Sequence, residues 1–316
     1  MRNLLRPGTL SAAVGMGLCL AALPAGQAQA QTYVPCNNVT ALGNAINQAN
    51  AGGGLIVLAP NCTYTISAPD NPGDALPEIT GNVSIAARNA TIRRAPDAAE
   101  DFRIFHVVQD GRLTLTSVTV SGGSIGEFPY LYGGGILNDR GTVNLVSATV
   151  RGNEAFSGGG VYSSQGTLSL SRSTVEENTA YQGAGVANAY GTTTISGGAL
   201  RSNTSTFAGA LLNYPQGTAT LNGVSVTGNI AGSSGGGVYN GADSVLRLNS
   251  TTVSGNTAEW GGGLFNDEST ATLVGSRVTG NTAHSEGGGV YEYSGAVNLL
   301  GSVVTRNTPD NCFPEG

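Results

Sequence analysis

The sequence has 316 residues, with 49 glycines, 14 basic and 20 acidic side chains, and a net charge of −6. This acidic balance argues against nucleic acid and anionic membranes as partners. Every basic residue is an arginine, which excludes chemistry that requires a lysine amine. The glycines recur at fixed intervals, so the composition is typical of a structural repeat and not of a disordered linker.

Residues 1–30 are predicted to be a signal peptide. Arg2 and Arg6 precede an apolar stretch at 10–23, and a small-x-small cleavage site follows at 28–30. The mature chain would begin at Gln31, carry a net charge of −8, and be secreted or held at the cell surface or in the periplasm. No later apolar run approaches the roughly 20 residues of a membrane helix, so no transmembrane segment is expected in it.

Residues 31–82 are predicted to form an N-terminal cap. An amphipathic helix is expected at 40–49, with Thr40 as its N-cap and the glycines at 52–54 as its end. Two short strands, at 55–58 and 64–66, are expected to follow.

Three cysteines remain in the mature chain, whose export pathway permits oxidation. Cys36 and Cys62 flank one short segment and are the favoured disulfide pair, which leaves Cys312 over. The sequence leaves another pairing open.

Residues 83–308 contain a repeat in which one asparagine recurs every 25 to 27 residues through most of the segment. These asparagines are Asn153, Asn178, Asn203, Asn229, Asn256, Asn281 and Asn307. The residue three positions earlier is always aliphatic, and so is the residue eight positions earlier. A triplet of small residues, mostly glycine, follows each of the first six asparagines and leads into a third aliphatic column.

Three short extended segments per repeat predict an all-β fold, a right-handed parallel β-helix of about nine coils and about 40 Å in length. We expect each asparagine to adopt the left-handed conformation at a corner and to bond to the asparagines of the coils above and below. Pro309 and Pro314 are expected to stop further pairing, which makes 309–316 a C-terminal tail.

The glycine motifs carry a family resemblance. The motifs include GGGI at 133–136, GGGV at 158–161 and GGGL at 261–264. Each of them is linked to a VxxN or LxxN motif. They resemble the repeats of secreted bacterial right-handed β-helix proteins of the pectate-lyase-like fold, which are related to polymorphic outer-membrane proteins. The resemblance implies acidic polysaccharides as substrates, cleaved with calcium and an arginine base or by clustered aspartates. The NTD, DD, GHG and RIK motifs of the pectinolytic enzymes are absent from this sequence.

Candidate catalytic groups are sparse. The best cluster surrounds an oversize turn at 124–132 and contains Glu127, Asp139, Arg140 and Arg151. Arg151, Glu176 and Arg201 should stack in one line, which a solvated ladder of ion pairs explains more simply than catalysis. His106 and His284 lie about six coils apart and cannot act together. The sequence predicts no metal site and no cofactor.

Aromatic residues give a second signal, because several follow the asparagine turns and others lie in the oversize turn. They are Phe128, Tyr130, Tyr132, Phe156, Tyr181, Phe207 and Trp260. They could form an open edge that stacks on a glycan or peptide, or the turn could fold over and bury its neighbours.

A third column follows the aliphatic residues of the third segment by one position, so it should point outward. Its members are Leu137, Tyr162, Ala187, Leu212, Tyr239, Phe265 and Tyr291. The irregularity of this column favours an exposed outer face, whereas its apolar character favours a face that something covers, and the sequence leaves both open.

The sequence therefore favours an exported, non-catalytic surface or extracellular protein that presents a binding face for glycan, host or matrix ligands, as in adhesion. The alternative is a polysaccharide lyase or hydrolase with its site near the 124–132 turn. A purely structural component of the cell envelope is a third hypothesis.

Overall fold

A computed structural model describes residues 31–126 and 131–314, which form a parallel β-helix with one helix. The predicted fold is thus confirmed. The predicted signal peptide lies outside the described residues. Strands of successive coils pair in parallel and in register, so each coil repeats the position of the one before it.

The largest sheet contains nineteen of the described strands, arranged as two columns that share two long strands. The strands of the first column are Gln31–Val34, Gly54–Leu58, Asn82–Arg94, Arg112–Ser121, Thr142–Val146, Thr167–Ser171, Thr192–Ser196, Thr218–Asn222, Val245–Asn249, Ser269–Val274 and Gly295–Leu300. The second column shares Asn82–Arg94 and Arg112–Ser121 and adds Thr63–Ile66, Thr149–Arg151, Thr174–Glu176, Ala199–Arg201, Ser225–Thr227, Thr252–Ser254, Arg277–Thr279 and Val303–Thr305.

The two smaller sheets complete each coil. The seven-stranded sheet comprises Ser124–Ile125, Glu154–Ser157, Thr179–Gln182, Thr204–Phe207, Ile230–Ala231, Thr257–Trp260 and Thr282–Glu286. The nine-stranded sheet comprises Phe105–Val107, Ile136–Asp139, Val161–Ser164, Val186–Ala189, Leu211–Asn213, Val238–Gly241, Leu264–Asp267, Val290–Glu292 and Cys312–Phe313.

The number of coils is about eleven, and the prediction of about nine was too low. The strands Gln31–Val34 and Gly54–Leu58 pair in parallel with each other and then with Asn82–Arg94, so they are the first rungs of the solenoid. They lie outside the asparagine repeat, which is why the repeat did not reveal them. Ten steps at the usual strand spacing give a rod about 48 Å long.

The helix runs from Val39 to Gly52 and packs its buried face on the first coils. Its N-cap is Asn38, whose side chain accepts a hydrogen bond from the Ala41 amide at 2.9 Å, so the prediction of Thr40 was wrong. Ending the helix at the glycines was correct. In the described part of the chain no helix is long and apolar enough to cross a membrane.

The disulfide between Cys36 and Cys62 is formed as predicted. Cys312 is the one free cysteine among the described residues, and it lies in a strand that pairs with Val290–Glu292. Pairing therefore continues beyond Pro309, and the expectation that this proline ends the sheet was wrong.

The asparagine ladder is buried and continuous. In the six pairs from Asn153 to Asn307, each side-chain amide nitrogen donates to the amide oxygen of the next asparagine at 2.8 to 3.0 Å. The same oxygen accepts a bond from the backbone nitrogen of the preceding asparagine, as Asn178 does from Asn153. Each buried amide is thus satisfied by its neighbours.

The left-handed conformation belongs to a different residue from the one predicted. The asparagines have ordinary backbone angles, and the residue immediately before each one has positive φ. These residues are Gly152, Glu177, Ser202, Gly228, Gly255, Gly280 and Arg306. The asparagine is therefore selected for its side-chain bonds, while the preceding residue makes the corner.

The glycine triplets bring consecutive coils into close contact. Gly158 has a φ of +67°, and a Cβ on Gly159 would lie 2.4 Å from the carbonyl oxygen of Thr179 in the next coil. No other residue fits there without shifting the backbone.

A second buried ladder was missed in the sequence. Asn188, Asn213, Asn240 and Asn266 are linked by amide–amide bonds of 2.8 Å, and Asn138 bonds to Ser163 at 2.9 Å in the same column. The signal was present, because each of these residues follows the third aliphatic column by two positions.

Asn229→Ala should lower the free energy of unfolding by about 3 to 4 kcal/mol, because it removes two donated bonds and leaves the amide of Asn203 without its buried acceptor. Asn222→Ala, in a half-buried surface pair with Asn249, is the matched control and should cost less than about 1 kcal/mol. Urea unfolding followed by circular dichroism measures both. Equal losses would show that the ladder contributes no more than a surface amide pair.

Candidate functional site

One polar cluster interrupts the apolar interior of the first coils. Asp74 and Arg103 are 2 % and 3 % exposed and form an ion pair at 2.6 Å. Arg103 also donates from Nε to the carbonyl oxygen of Tyr132 at 3.1 Å, which ties the pair to the end of the 124–132 turn. A buried ion pair with this many bonds is costly to assemble and indicates a specific role.

His106 joins this cluster from the strand Phe105–Val107. Phe105 and Val107 point inward and are fully buried, so strand alternation turns His106 outward. Its Nδ1 atom lies 3.1 Å from Oδ2 of Asp74 and 3.5 Å from Oε1 of Glu78.

The loop that carries the two carboxylates is fixed by backbone bonds to the next coil. The amide of Ala75 donates to the carbonyl oxygen of Arg103 at 2.8 Å, and the amide of Ile79 donates to that of His106 at 2.8 Å. Asp74 and Glu78 each immediately precede one of these two attached residues. The cluster is therefore held by the same inter-coil bonds that build the solenoid.

The cluster forms one wall of a cleft of about 530 Å³. The cleft is lined by Asn71, Pro72, Asp74, Glu78, Arg103, His106, Tyr132 and Leu137. It combines carboxylates and an imidazole with an aromatic ring, which is a typical composition for a ligand or catalytic site.

The outward face of the nine-stranded sheet carries a continuous column that starts at this cleft. Strand register places its members in one line: His106, Leu137, Tyr162, Ala187, Leu212, Tyr239, Phe265, Tyr291 and Phe313. The sequence predicted the seven central members and their outward direction. The structure adds His106 at one end and Phe313 at the other.

Members of the outward column cover one another and are partly covered by adjacent side chains. Phe265 stacks on Tyr239 and on Tyr291, with ring centroids 5.2 and 4.9 Å apart. Tyr132 stacks on Tyr162 at 4.5 Å. Ala208 packs on the middle of the column.

A second cleft of about 280 Å³ opens beside the middle of the outward column. It is lined by Gln182, Phe207, Leu212, Tyr214, Tyr239, Ala242, Asp267 and Glu268. The ring of Tyr214 lies edge-on to that of Tyr239 with centroids 6.2 Å apart, and the Tyr239 hydroxyl donates to Oδ2 of Asp267 at 3.1 Å. We call this the aromatic cleft, and the one beside His106 the polar cleft.

Tyr162, Tyr239 and Tyr291 of the outward column all have raised pKa values. Burial is the main cause for each of them. It raises the pKa of Tyr162 to about 12. The nearby carboxylate of Asp267 adds to the effect of burial on Tyr239, whose pKa is also raised. These phenols therefore remain neutral across the physiological pH range.

Three residues of the predicted aromatic edge lie in successive strands of the seven-stranded sheet and contact one another. Phe156 stacks on Tyr181 at 5.1 Å, and Tyr181 contacts Phe207 edge-on at 5.6 Å. Trp260 lies apart from them, because the strand Ile230–Ala231 intervenes. Phe128 and Tyr130 lie outside the described residues.

The side chains of this edge are partly exposed, which agrees with the alternative of an open edge and not with an edge buried under the turn. Tyr181 is 45 % exposed, and Phe156 and Trp260 are each 38 % exposed. Tyr132, from the end of the oversize turn, stacks on Tyr162 of the outward column.

The described catalytic candidates do not form one site. Asp139 and Arg140 pair with each other at 3.0 Å on the surface of the nine-stranded sheet, whereas Arg151 lies in the nineteen-stranded sheet. Glu127 is outside the described residues.

The predicted line of Arg151, Glu176 and Arg201 is confirmed. The strand register pairs Arg151 with Glu176, and Glu176 with Arg201. Glu176 bonds to Arg201 at 2.6 Å, while Arg151 approaches Glu177 at 4.0 Å. These arginines are about half exposed, so the pairs are those of a solvated surface.

Asp74, Glu78 and Arg103 were missed as functional candidates, and His106 was considered only singly. Alternation around Phe105 could have placed His106 at the start of the outward column. The carboxylates gave no signal, because they lie in an irregular loop before the repeat begins.

Comparison with known proteins supports the fold. The crystal structure of pectate lyase Pel9A matches with a TM-score of 0.54 and 16 % sequence identity, over 88 % of this chain and 79 % of that one. This chain is thus similar in fold to a pectate lyase. No family model matches the sequence, and no curated protein matches it either.

Tyr162→Phe should reduce the alkaline loss of stability. A raised pKa means that the folded protein holds the phenol proton more tightly than the unfolded chain, in which the pKa is the ordinary 10.0. The stability that the neutral phenol of Tyr162 contributes is fully present below about pH 10 and is lost as the pH rises through about 12.

A shift of two pKa units corresponds to about 2.7 kcal/mol, and solvent screening of this part-buried phenol reduces the expected effect to about 1 kcal/mol. Urea titrations of the wild type and of Tyr162→Phe at about pH 9 and about pH 11.5 measure this loss of stability. An identical loss in the variant would assign the alkaline transition to other groups.

Proposed function

We propose that this protein is an exported β-helix protein that binds a polysaccharide on the outward face of its nine-stranded sheet. The supporting observation is the aromatic cleft beside a continuous apolar column. Binding requires no catalytic group there, and the solenoid supplies a rigid surface about 38 Å long from His106 to Phe313.

The exposed rings in the aromatic cleft suit contacts with sugars. Tyr214 is 45 % exposed, and Phe207 borders the same cleft. Aromatic rings offer large apolar surfaces to the C–H faces of sugar rings at little cost in conformational entropy. The stacked rings of Phe265 and Tyr291 have their faces occupied, so they extend the apolar surface with their edges.

The charges of the cleft favour a neutral polysaccharide. Asp267 and Glu268 supply carboxylate oxygens that can accept hydrogen bonds from sugar hydroxyls. Among the lining residues, all within the described part of the chain, there is no arginine to pair with a uronate. A polyanion would be repelled both here and by the overall negative charge.

Pel9A is named as a pectate lyase, and pectate is an acidic polysaccharide. The similarity at 16 % identity supports the fold alone, so the ligand is inferred from the cleft. The cleft predicts a neutral ligand and pectate is anionic, so a comparison of neutral with acidic polysaccharides is a direct test.

Tyr214→Ala should weaken binding of neutral oligosaccharides by about 10-fold, because loss of one aromatic contact costs on the order of 1 to 1.5 kcal/mol. Titration calorimetry against panels of neutral and acidic oligosaccharides measures it. Tyr33→Ala, which truncates an exposed tyrosine in the first strand, is the control and should bind as the wild type. Unchanged binding by a Tyr214→Ala/Phe207→Ala protein would exclude the aromatic cleft.

A second candidate function is polysaccharide cleavage at the polar cleft. Its support is the contact of His106 with the buried Asp74–Arg103 pair, since imidazole and carboxylate groups are the usual general acids and bases. The cleft adjoins the 124–132 turn, where the sequence placed its alternative active site.

Incubation with neutral and acidic polysaccharides tests this candidate through new reducing ends and unsaturated products. His106→Gln should lower any such activity at least about 100-fold, while His284→Gln should leave it unchanged. Absence of products from every polysaccharide would exclude cleavage, and activity retained by His106→Gln would place it elsewhere.

A further inference from the structure

Three donor atoms converge in the polar cleft. One donor atom from each of His106, Asp74 and Glu78 lies within 4.8 Å of the other two. Nδ1 of His106 is 3.1 Å from one carboxylate oxygen and 3.5 Å from the other. The group contains two carboxylates and one imidazole, drawn from two adjacent coils.

Hydrogen bonding does not account for this arrangement. One ring nitrogen carries at most one proton and can direct it at one acceptor. Two carboxylates around the same nitrogen therefore leave one of them facing it without a proton to share. A cation placed between the three atoms would satisfy all of them.

The distances agree with those between ligands of one ion. Zinc binds imidazole nitrogen and carboxylate oxygen at about 2.0 to 2.2 Å, so two ligands lie about 3.0 to 3.4 Å apart for octahedral to tetrahedral angles. Both of the measured distances from Nδ1 fall close to this interval. Small side-chain rotations of Glu78, which is 45 % exposed, can bring the third atom into place.

The donor set distinguishes between metals. Calcium, which the resemblance to pectate-lyase-like enzymes implies, prefers six to eight oxygen ligands. An imidazole nitrogen with two carboxylates is typical of zinc, manganese and other first-row transition metals. The residues therefore do not fit the calcium site of that resemblance.

The surroundings also match those of metal ligands. The other oxygen of Asp74 accepts a bond from Arg103 at 2.6 Å, which orients the carboxylate and offsets its charge. The backbone carbonyl of Glu78 accepts a bond from the Asn50 side chain at 2.7 Å, which ties the loop to the N-terminal helix. Preorganised ligands lower the entropic cost of binding an ion.

We propose that Asp74, Glu78 and His106 form a binding site for a divalent transition metal, with zinc or manganese as its occupant. Three protein ligands leave at least one coordination position for water or a ligand oxygen, and this position borders the polar cleft. The site is independent of polysaccharide binding at the aromatic cleft, which shares no lining residue with it.

The test uses untagged mature protein freed of metals by dialysis against a chelator. Zn²⁺ binding is measured by titration calorimetry, and Co²⁺ is used as a spectroscopic probe because its visible absorption reports nitrogen and oxygen coordination. We expect one Zn²⁺ per chain and a Co²⁺ spectrum that Zn²⁺ abolishes. Ca²⁺ at the same concentration should not compete.

Glu78→Gln and His106→Gln should each weaken Zn²⁺ binding by at least about 10-fold. His284→Gln removes the exposed histidine near the other end of the solenoid and is the matched control, with wild-type binding expected. Because Glu78 is partly exposed, its variant should keep the wild-type circular dichroism spectrum, so a loss of binding will not reflect unfolding.

Absence of saturable Zn²⁺ uptake would overturn the proposal. So would uptake that survives both substitutions, or displacement of the metal by equimolar Ca²⁺. Oligosaccharide titrations in the same samples separate the two proposals, since metal removal should leave binding at the aromatic cleft unchanged.

Discussion

Register between parallel coils is the constraint on which this structure depends. Each strand donates and accepts backbone bonds one rung away, so residues at equivalent positions lie about 4.8 Å apart along the axis. A polar residue inside the solenoid must therefore find its partners in the same column. Asparagine does so because its amide both donates and accepts, and a column of identical amides satisfies itself from one coil to the next. This explains how a buried row of polar groups becomes a stabilising element.

The same register creates the outward column. Tyr239, Phe265 and Tyr291 are distant in sequence, and they stack because each occupies one position of successive coils. No separate folding event is required to form this surface. In a solenoid, one apolar position per repeat therefore forms a continuous face. Side chains beside this column, such as Tyr214 packed edge-on against Tyr239, form the aromatic cleft.

The polar cleft has the opposite origin, since it occurs where the repeat is imperfect. The segment around Asp74 and Glu78 is an irregular loop, although backbone bonds attach it to Arg103 and His106 of the next coil. Irregular coils can carry buried charge that a regular coil would exclude, because their backbone supplies additional bonding partners. The titratable cluster therefore lies at the N-terminal end of the rod, and the aromatic surface formed by the regular coils lies beyond it.

The sequence by itself determined the parallel β-helix, the asparagine ladder and the outward direction of the apolar column, and it favoured the Cys36–Cys62 disulfide while leaving another pairing open. These features follow from periodicity and local pairing, which are properties of the chain in one dimension. The first coils were miscounted because Gln31–Val34 and Gly54–Leu58 join the solenoid without its motif. Only the tertiary structure brought Asp74 and Glu78 to His106, about thirty residues away, because contacts made by an irregular loop depend on the path of the backbone and leave no period in the sequence.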